Sequence, residues 1–231
     1  MDLSDTRLPE NFTGIVRLFP LPNLVLFPGV VQALHIFEPR YRKMMDDSLA
    51  ADKLVTICLY KSAEDAAVLD GNPVIHDTVC IAKVVAHKVL QDGRYNLLVV
   101  GVKRAKINRE LGIEKPYRMA EVTVLEDVLP VKQEDIDTLR GRLIEYCQST
   151  QVFKRISKEL DLTKILETES GLGLLVDLIG FSTELDCSQR QSILELVDVK
   201  ARLERLLNFL SQHDEGGSSG HGKFPPEFSD N

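Results

Sequence analysis

The stretch that decides the fold of this chain runs from Leu18 to Tyr41 and reads LFPLPNLVLFPGVVQALHIFEPRY. Its prolines, at positions 20, 22, 28 and 39, exclude a long helix because each one fixes φ and lacks a backbone donor. Its high density of apolar residues excludes a solvated linker. The stretch therefore predicts short strands broken by rigid turns, with a helix from Pro39 to about Ala50, since proline suits the first helical position.

Apolar residues alternate with polar ones from Ile15 to about Asp127, which predicts β-strands around this stretch. Asp92-Gly93 lies between two apolar runs and predicts a β-hairpin. Many short strands at this spacing indicate a small barrel or closed sheet. The predicted strands are Ile15–Phe19, Val31–Phe37, Leu54–Tyr60, Asp77–Leu90, Arg94–Val100, Val102–Asn108 and Tyr117–Leu125.

Beyond Pro130 the apolar residues recur at every third and fourth position, which predicts helices. The first begins near Glu134, and Phe153, Ile156 and Leu160 extend its apolar face. A second, short apolar segment at Gly171–Phe181 is expected to be buried. The members of these patterns are Glu134, Asp135 and Asp137 in the first turn, then Ile136, Leu139, Leu143, Ile144 and Cys147 on one face.

The last predicted helix starts at Ser188, which forms a capping box with Gln191, and continues to Leu210. Asp198 and Arg202 are expected to pair on its outer side. The fold class is therefore α+β, a β pseudo-barrel followed by a C-terminal helical bundle. We divide the chain into a flexible N-terminus (1–13), a β-barrel module (14–128), a helical subdomain (129–212) and a disordered tail (213–231).

Composition excludes several classes of protein. The formal net charge of −7 provides no general attraction to nucleic acid or anionic lipid, and the absence of Trp argues against a stacking platform for single strands. The sequence has no apolar run long enough to span a membrane and no secretory signal. Its cysteines, Cys58, Cys80, Cys147 and Cys187, are far apart, which favours reduced thiols in a cytoplasmic protein.

Several motifs resemble the N-terminal, substrate-binding domain of Lon proteases, a PUA-like fold. They are FPG followed by IFEPRYR within Phe27–Arg42, the DGR of the hairpin, Gly101 with Arg104, Tyr117 with Ala120-Glu121-Val122, and a pattern over Leu194–Leu207 that ends in Arg202, Leu203, Glu204, Leu206 and Leu207. The resemblance covers Ile15 to Leu210. It implies a PUA-like pseudo-barrel, a helical bundle and a role in recognition, because ATP hydrolysis and proteolysis in Lon reside in other domains, which we expect this chain to lack.

No catalytic, cofactor-binding or metal-binding residues are predicted. A G-x-x-x-x-G-K match at 217–223 has Phe224 where Ser or Thr holds Mg²⁺, and it lacks the strand and helix that a phosphate loop requires. No HExxH motif and no G-x-S-x-G elbow are present. We therefore expect a protein that is not an enzyme.

The candidate protein-binding rim consists of two polar-edged segments of the opening stretch. Its residues are Pro22, Asn23, Leu24, Phe27, Glu38, Arg40 and Tyr41. The alternative is purely structural, with Glu38 and Arg40 bracing the helix start and Tyr41 in the core. Exposure of Leu24 or Phe27 would favour the binding interpretation.

The leading hypothesis is a module that recognises unfolded or partner polypeptide and needs no cofactor. A second hypothesis is a PUA-like module for a small ligand or RNA, to which the basic cluster Lys103, Arg104, Lys106 and Arg109 would contribute. We interpret that cluster instead as a solvated strand edge, and we expect no nucleic acid or membrane as partner. A third is a peptidase-associated hydrolase. The sequence does not determine the oligomeric state.

Overall fold

The structure, a computed structural model, describes residues 7–62, 73–112, 114–149 and 171–215. The chain forms two compact units that divide between Leu125 and Glu126. The predicted division lay at 128. Residues 126–128 belong to the second unit because Val128 forms two backbone hydrogen bonds there, donating to Val197 (2.9 Å) and accepting from Val199 (3.0 Å).

Five strands of the first unit close into a barrel in the order β1-β3-β4-β5-β6, because β6 pairs with both β1 and β5. A further strand, β2, pairs with the first part of β5. Alternate side chains of the barrel strands fill its interior, as a closed sheet of this size requires. The strands are β1 (Ile15–Leu21), β2 (Val31–Ile36), β3 (Leu54–Leu59), β4 (Thr78–Val89), β5 (Tyr95–Glu110) and β6 (Met119–Leu125).

The β4–β5 hairpin confirms the prediction from Asp92-Gly93, but β5 differs from expectation. Two strands were predicted on either side of Gly101, and the structure has a single strand of 16 residues. A bulge replaces the predicted break: Ile81 pairs with Lys103 while its neighbour Ala82 pairs with Gly101. The bulge absorbs the extra residue, so the strand bends without ending.

The FPG turn of the opening stretch docks against this bulged region. Gly29 has a φ of +78°, which suits glycine, and its N–H donates to the carbonyl of Gly101 (2.8 Å). A Cβ added to Gly101 would lie 2.0 Å from the Phe27 carbonyl oxygen, so only glycine permits this approach. The Arg104 guanidinium lies 6.0 Å from the Phe27 ring centroid. The Gly101 and Arg104 of the motif thus hold the turn in place.

Helix α1 (Pro39–Leu49) begins at the predicted proline and packs Tyr41, Met44 and Met45 against the barrel. Two acidic residues near its end attach it to β5 and to the segment just before β6. The Tyr95 hydroxyl donates to Asp46, and the Tyr117 hydroxyl donates to Asp47 at 2.7 Å. Lysine side chains also donate to Asp47, and these hydrogen bonds hold its pKa well below the usual value of 3.8.

The second unit contains four helices within the described residues: α2 (Gln133–Ser149), α3 (Gly171–Ser182), α4 (Cys187–Leu194) and α5 (Val199–Glu215). The helix predicted near Glu134 and the buried segment at Gly171–Phe181 are both confirmed. The predicted extension through Phe153, Ile156 and Leu160 lies outside the described residues, as do most of the predicted tail and the first six residues of the predicted flexible N-terminus.

The single long helix predicted from Ser188 is wrong, because α4 and α5 are separate. Asp186, not Ser188, caps α4: its carboxylate accepts from the Gln189 N–H (2.8 Å), and the Gln189 side chain accepts from the Asp186 N–H (3.0 Å). The helical conformation is interrupted between Leu194 and Val199, where Val128 forms backbone hydrogen bonds with Val197 and Val199. These long-range hydrogen bonds override the helical periodicity of the sequence.

The predicted surface pair of Asp198 and Arg202 is also wrong. Asp198 caps α5 by accepting from the Ala201 N–H (2.9 Å). Arg202 is 0% exposed and donates to Asp127 (3.1 Å), to Asp177 (3.2 Å) and, through Nε, to the carbonyl of Leu196 (2.8 Å). An ionic cluster centred on the buried Arg202 side chain therefore joins α3, α5 and the segment that opens the unit.

Candidate functional site

The first segment of the predicted rim divides between surface and core. Pro22 and Asn23 are exposed and Leu24 is half-buried, directly after β1. Phe27 is 0% exposed, because its ring lies beneath Arg104 and its backbone contacts Gly101. The Phe27 side chain therefore shapes the turn from inside, while Pro22 to Leu24 face solvent.

The second segment lies at the start of α1. Glu38 is the N-cap residue, with extended backbone, and its carboxylate accepts from Nε and Nη2 of Arg40, both at 2.9 Å. The Arg40 guanidinium lies 4.6 Å from the Tyr41 ring centroid. Tyr41 is 5% exposed and meets Phe19 edge to face at 4.7 Å. Glu38 and Arg40 thus remain at the surface, and Tyr41 supports them from the core.

Tyr60 lies next to the first segment and was not among the predicted rim residues. Its N–H donates to the carbonyl of Leu21 (3.1 Å), which places it beside the residues that follow β1. Burial raises the pKa of the Tyr60 hydroxyl, Arg40 lowers it and Glu38 raises it. We name the following at least partly exposed residues the sheet-end surface: Pro22, Leu24, Glu38, Arg40, Tyr60 and Val74.

Val74 enlarges the apolar part of this surface. The backbone N–H of Lys61 donates to the Val74 carbonyl (2.8 Å), and the neighbouring Ile75 forms a β-bridge with Tyr60. The Val74 side chain is 56% exposed. Pro22 and Val74 are thus the exposed apolar residues of the sheet-end surface.

Phe37 is an exposed aromatic residue that the sequence interpretation left out of the rim. It is 40% exposed, and its ring stacks on His35 with centroids 6.2 Å apart. His35 is held by Asn96, with Nδ1 and Oδ1 2.6 Å apart. The alternation of β2 could have identified it, because Val31, Ala33 and His35 share the less buried face that Phe37 continues.

The basic cluster is not a single surface. Arg104 is 2% exposed, and Arg109 pairs with Glu121 on β6 at 2.8 Å. The interpretation of a solvated strand edge is wrong too, since β5 is internal and pairs with β2, β4 and β6. Burial of Arg104 and pairing of Arg109 remove the continuous positive stripe that a nucleic-acid interface needs.

The described residues contain no group of three or more His, Cys, Asp or Glu side chains placed to hold a metal ion. Cys58, Cys80 and Cys187 are free thiols, and burial raises the pKa of the Cys58 thiol. Among the described helices, none has the length and apolar character needed to cross a bilayer. The match at 217–223 lies outside the described residues.

A closed barrel of five strands, followed along the chain by a helical unit, is the fold of Lon N-terminal domains. Solved structures of such domains from Xanthomonas campestris (TM-score 0.59, 23% identity) and Mycobacterium avium complex (TM-score 0.62, 19% identity) match 84% and 86% of this chain, and 98% and 99% of theirs. The predicted α+β fold class, a β barrel followed by helices, is thereby confirmed.

The chain belongs to the family of the ATP-dependent protease La (LON) substrate-binding domain, whose model matches residues 15–212. Curated relatives include the Lon proteases of Roseiflexus castenholzii, 27% identical over 91% of this chain, and Dictyoglomus thermophilum, 24% identical over 93%. The chain spans about a quarter of the length of these relatives, 25% and 26% respectively. The part that it matches is the substrate-binding domain, not the ATPase or the protease.

Proposed function

We propose that this chain binds unfolded or extended polypeptide and performs no chemistry on it. Membership in a substrate-binding family over residues 15–212 is the observation that carries the proposal. The sheet-end surface supports it, because Val74 and Leu24 offer apolar contact area while Glu38 and Arg40 provide a charged margin. Tyr41 and Phe27 would act from beneath, by fixing the backbone that carries these residues.

Unfolded chains expose apolar side chains that native proteins bury, so a partly apolar surface distinguishes the two. Reduced, carboxymethylated lactalbumin is a suitable unfolded probe, and native lactalbumin is its folded counterpart. With labelled probes, we expect fluorescence anisotropy to rise for the unfolded form only. Equal binding of both forms, or binding of neither, would contradict the proposal.

The double variant Leu24→Ser with Val74→Ser tests the sheet-end surface itself. If a client covers both side chains, losing their burial removes about 1–3 kcal/mol, which weakens affinity about 5- to 150-fold. Val131→Ser is the matched control, since Val131 is a fully exposed apolar residue (103%) of the second unit. An equal effect of the control would locate binding elsewhere.

A hydrolase would behave differently in a simple assay. We expect the purified full chain to leave casein intact with or without ATP, and its binding of unfolded lactalbumin to be independent of ATP. Cleavage of casein that ATP stimulates would refute the non-catalytic role while leaving the family assignment in place.

A further inference from the structure

The outer edge of β2 carries backbone polar groups that no strand pairs within the described part of the chain. Within those residues β2 pairs with β5 alone. Gly101 shows which residues of β5 direct their backbone groups toward β2. Its N–H donates to the Val30 carbonyl (2.9 Å), and its carbonyl accepts from the Gly29 N–H (2.8 Å). Both polar groups of Gly101 therefore face β2. Because this direction alternates along a strand, Val99 and Leu97 face β2 as well.

Gln32 and Leu34, which oppose Val99 and Leu97, thus use their backbone groups in the ladder with β5. Val31, Ala33 and His35 direct theirs away from β5, at the two-residue spacing of a strand-pairing edge. The Gln32 side chain is 3% exposed, and it donates to the Ala33 carbonyl (2.8 Å). That side-chain donor partly satisfies one carbonyl on the edge, and the N–H groups remain oriented outward.

A second open edge lies on β4 beyond Lys83, where the pairing with β3 stops. That edge has a register shift between Val84 and Ala86, and Lys88 is exposed on it. Bulges and lysines are the devices by which proteins protect edges from pairing. β2 (VQALHI) contains neither lysine nor proline, and it leads directly to the exposed Phe37.

We propose that the edge of β2 is the docking site for an extended segment of a client polypeptide, which adds to the sheet as a further strand. This proposal rests on the proposed function and specifies its mode. Backbone hydrogen bonds to Val31, Ala33 and His35 give affinity for many sequences, and Phe37 favours an apolar client residue. The two rim segments precede and follow β2 in the sequence.

Amide exchange of the full chain, followed by NMR, tests the mode directly. The probe is a short peptide with alternating valine and threonine and a lysine at each end. We expect the N–H groups of Val31, Ala33 and His35 to gain protection when the peptide binds. Those of Gln32 and Leu34, already in the ladder, should change little. Binding without protection at the first three would overturn the proposal.

Two proline substitutions distinguish the edges. Ala33→Pro removes an outward N–H of β2, and His87→Pro removes an outward N–H of β4; proline is tolerated at such edge positions. We expect Ala33→Pro to weaken binding of the peptide about tenfold or more, because added-strand hydrogen bonds are lost. His87→Pro should leave affinity unchanged. The reverse pattern would assign the site to β4 and overturn the proposal.

Methylated peptides give the same answer without altering the protein, should Ala33→Pro fail to fold. N-methylation of every second peptide residue blocks one edge of the peptide and leaves its side chains in place. We expect one methylation phase to abolish binding and the other to preserve it, whereas equal effects would contradict strand addition. Failure of peptide and unfolded lactalbumin alike would refute the proposed function, whereas lactalbumin binding without β2 protection would refute only the mode.

Discussion

Replacing Arg202 with Met retains an unbranched aliphatic stem at this position and removes the guanidinium from the centre of the helical unit. The substitution leaves Asp177, whose side chain is 2% exposed, with a buried negative charge that no longer faces Arg202. It also takes a donor from the Leu196 carbonyl. Asp127, whose side chain is 34% exposed, can be solvated by water instead.

These exposures set the size of the expected effect. Removing one member of a buried ion pair costs about 3–5 kcal/mol, and a partly solvated pair contributes only about 0–1 kcal/mol. The Asp177 contact belongs to the first class and the Asp127 contact is closer to the second. We therefore expect Arg202→Met to lower the opening free energy of the helical unit by about 3 kcal/mol.

Hydrogen exchange measured by mass spectrometry suits this chain, because two units need not unfold in one transition and no Trp is present. Peptides covering α3 and α5 report on the helical unit, and peptides from β4 provide the reference for the barrel. We expect Arg202→Met to lose exchange protection in the α3 and α5 peptides, while the β4 peptides keep the protection that they have in the wild type.

Arg205→Met is the matched control, since Arg205 is exposed on the same helix. It should change stability by no more than about 0.5 kcal/mol. Adding Asp177→Asn to Arg202→Met removes the buried negative charge, so the double variant should be more stable than the sum of the single effects by at least about 1 kcal/mol. A loss for Arg202→Met no larger than for Arg205→Met, or strict additivity, would refute the reasoning.

Three further predictions concern the barrel unit. Asp47→Asn should destabilise it by about 1–2 kcal/mol at pH 7; because folding lowers the pKa of Asp47, this difference is complete above its ordinary pKa of 3.8 and declines as the pH falls below it, as urea titrations across pH would measure. A difference that grows on acidification would contradict the assignment. Gly101→Ala should cost about 2 kcal/mol or more, since the new methyl group collides with the Phe27 carbonyl, and a thermal melt equal to wild type would exclude that contact. Cys58 should resist iodoacetamide until denaturant is added, whereas Cys187 is half-buried and should react sooner in peptide mapping; rapid native labelling of Cys58 would show that the barrel core opens.

Much of the barrel unit could be predicted from local sequence. Proline constrains its own φ and the hydrogen bonds of its neighbours, so the strand–turn–helix order around Pro39 follows from the residues themselves. Asp92-Gly93 predicts a hairpin for the same local reason. Gly101 marks the limit of this approach: a glycine in a strand pattern suggested a break, and only the approach of Phe27 shows why the strand continues.

The surface exposure of the candidate rim residues was predicted in part, while their role in binding stays a prediction. Pro22, Asn23, Glu38 and Arg40 remain at or near the surface, where a binding rim requires them. Phe27 points inward because its ring packs beneath Arg104, a residue from a distant strand. Tyr60 and Val74 join the surface only because pairing of β1 with β3 brings their segments to the end of β1. Alternation within a strand cannot report such neighbours.

The helical unit shows the same division between local and distant causes. Its periodicity determined that helices form and which faces are apolar, since those depend on residues three and four apart. The partner of Arg202 depends on a segment 75 residues earlier, where Asp127 lies. A guanidinium buried by tertiary packing must find carboxylates within reach, and only the fold decides which carboxylates those are.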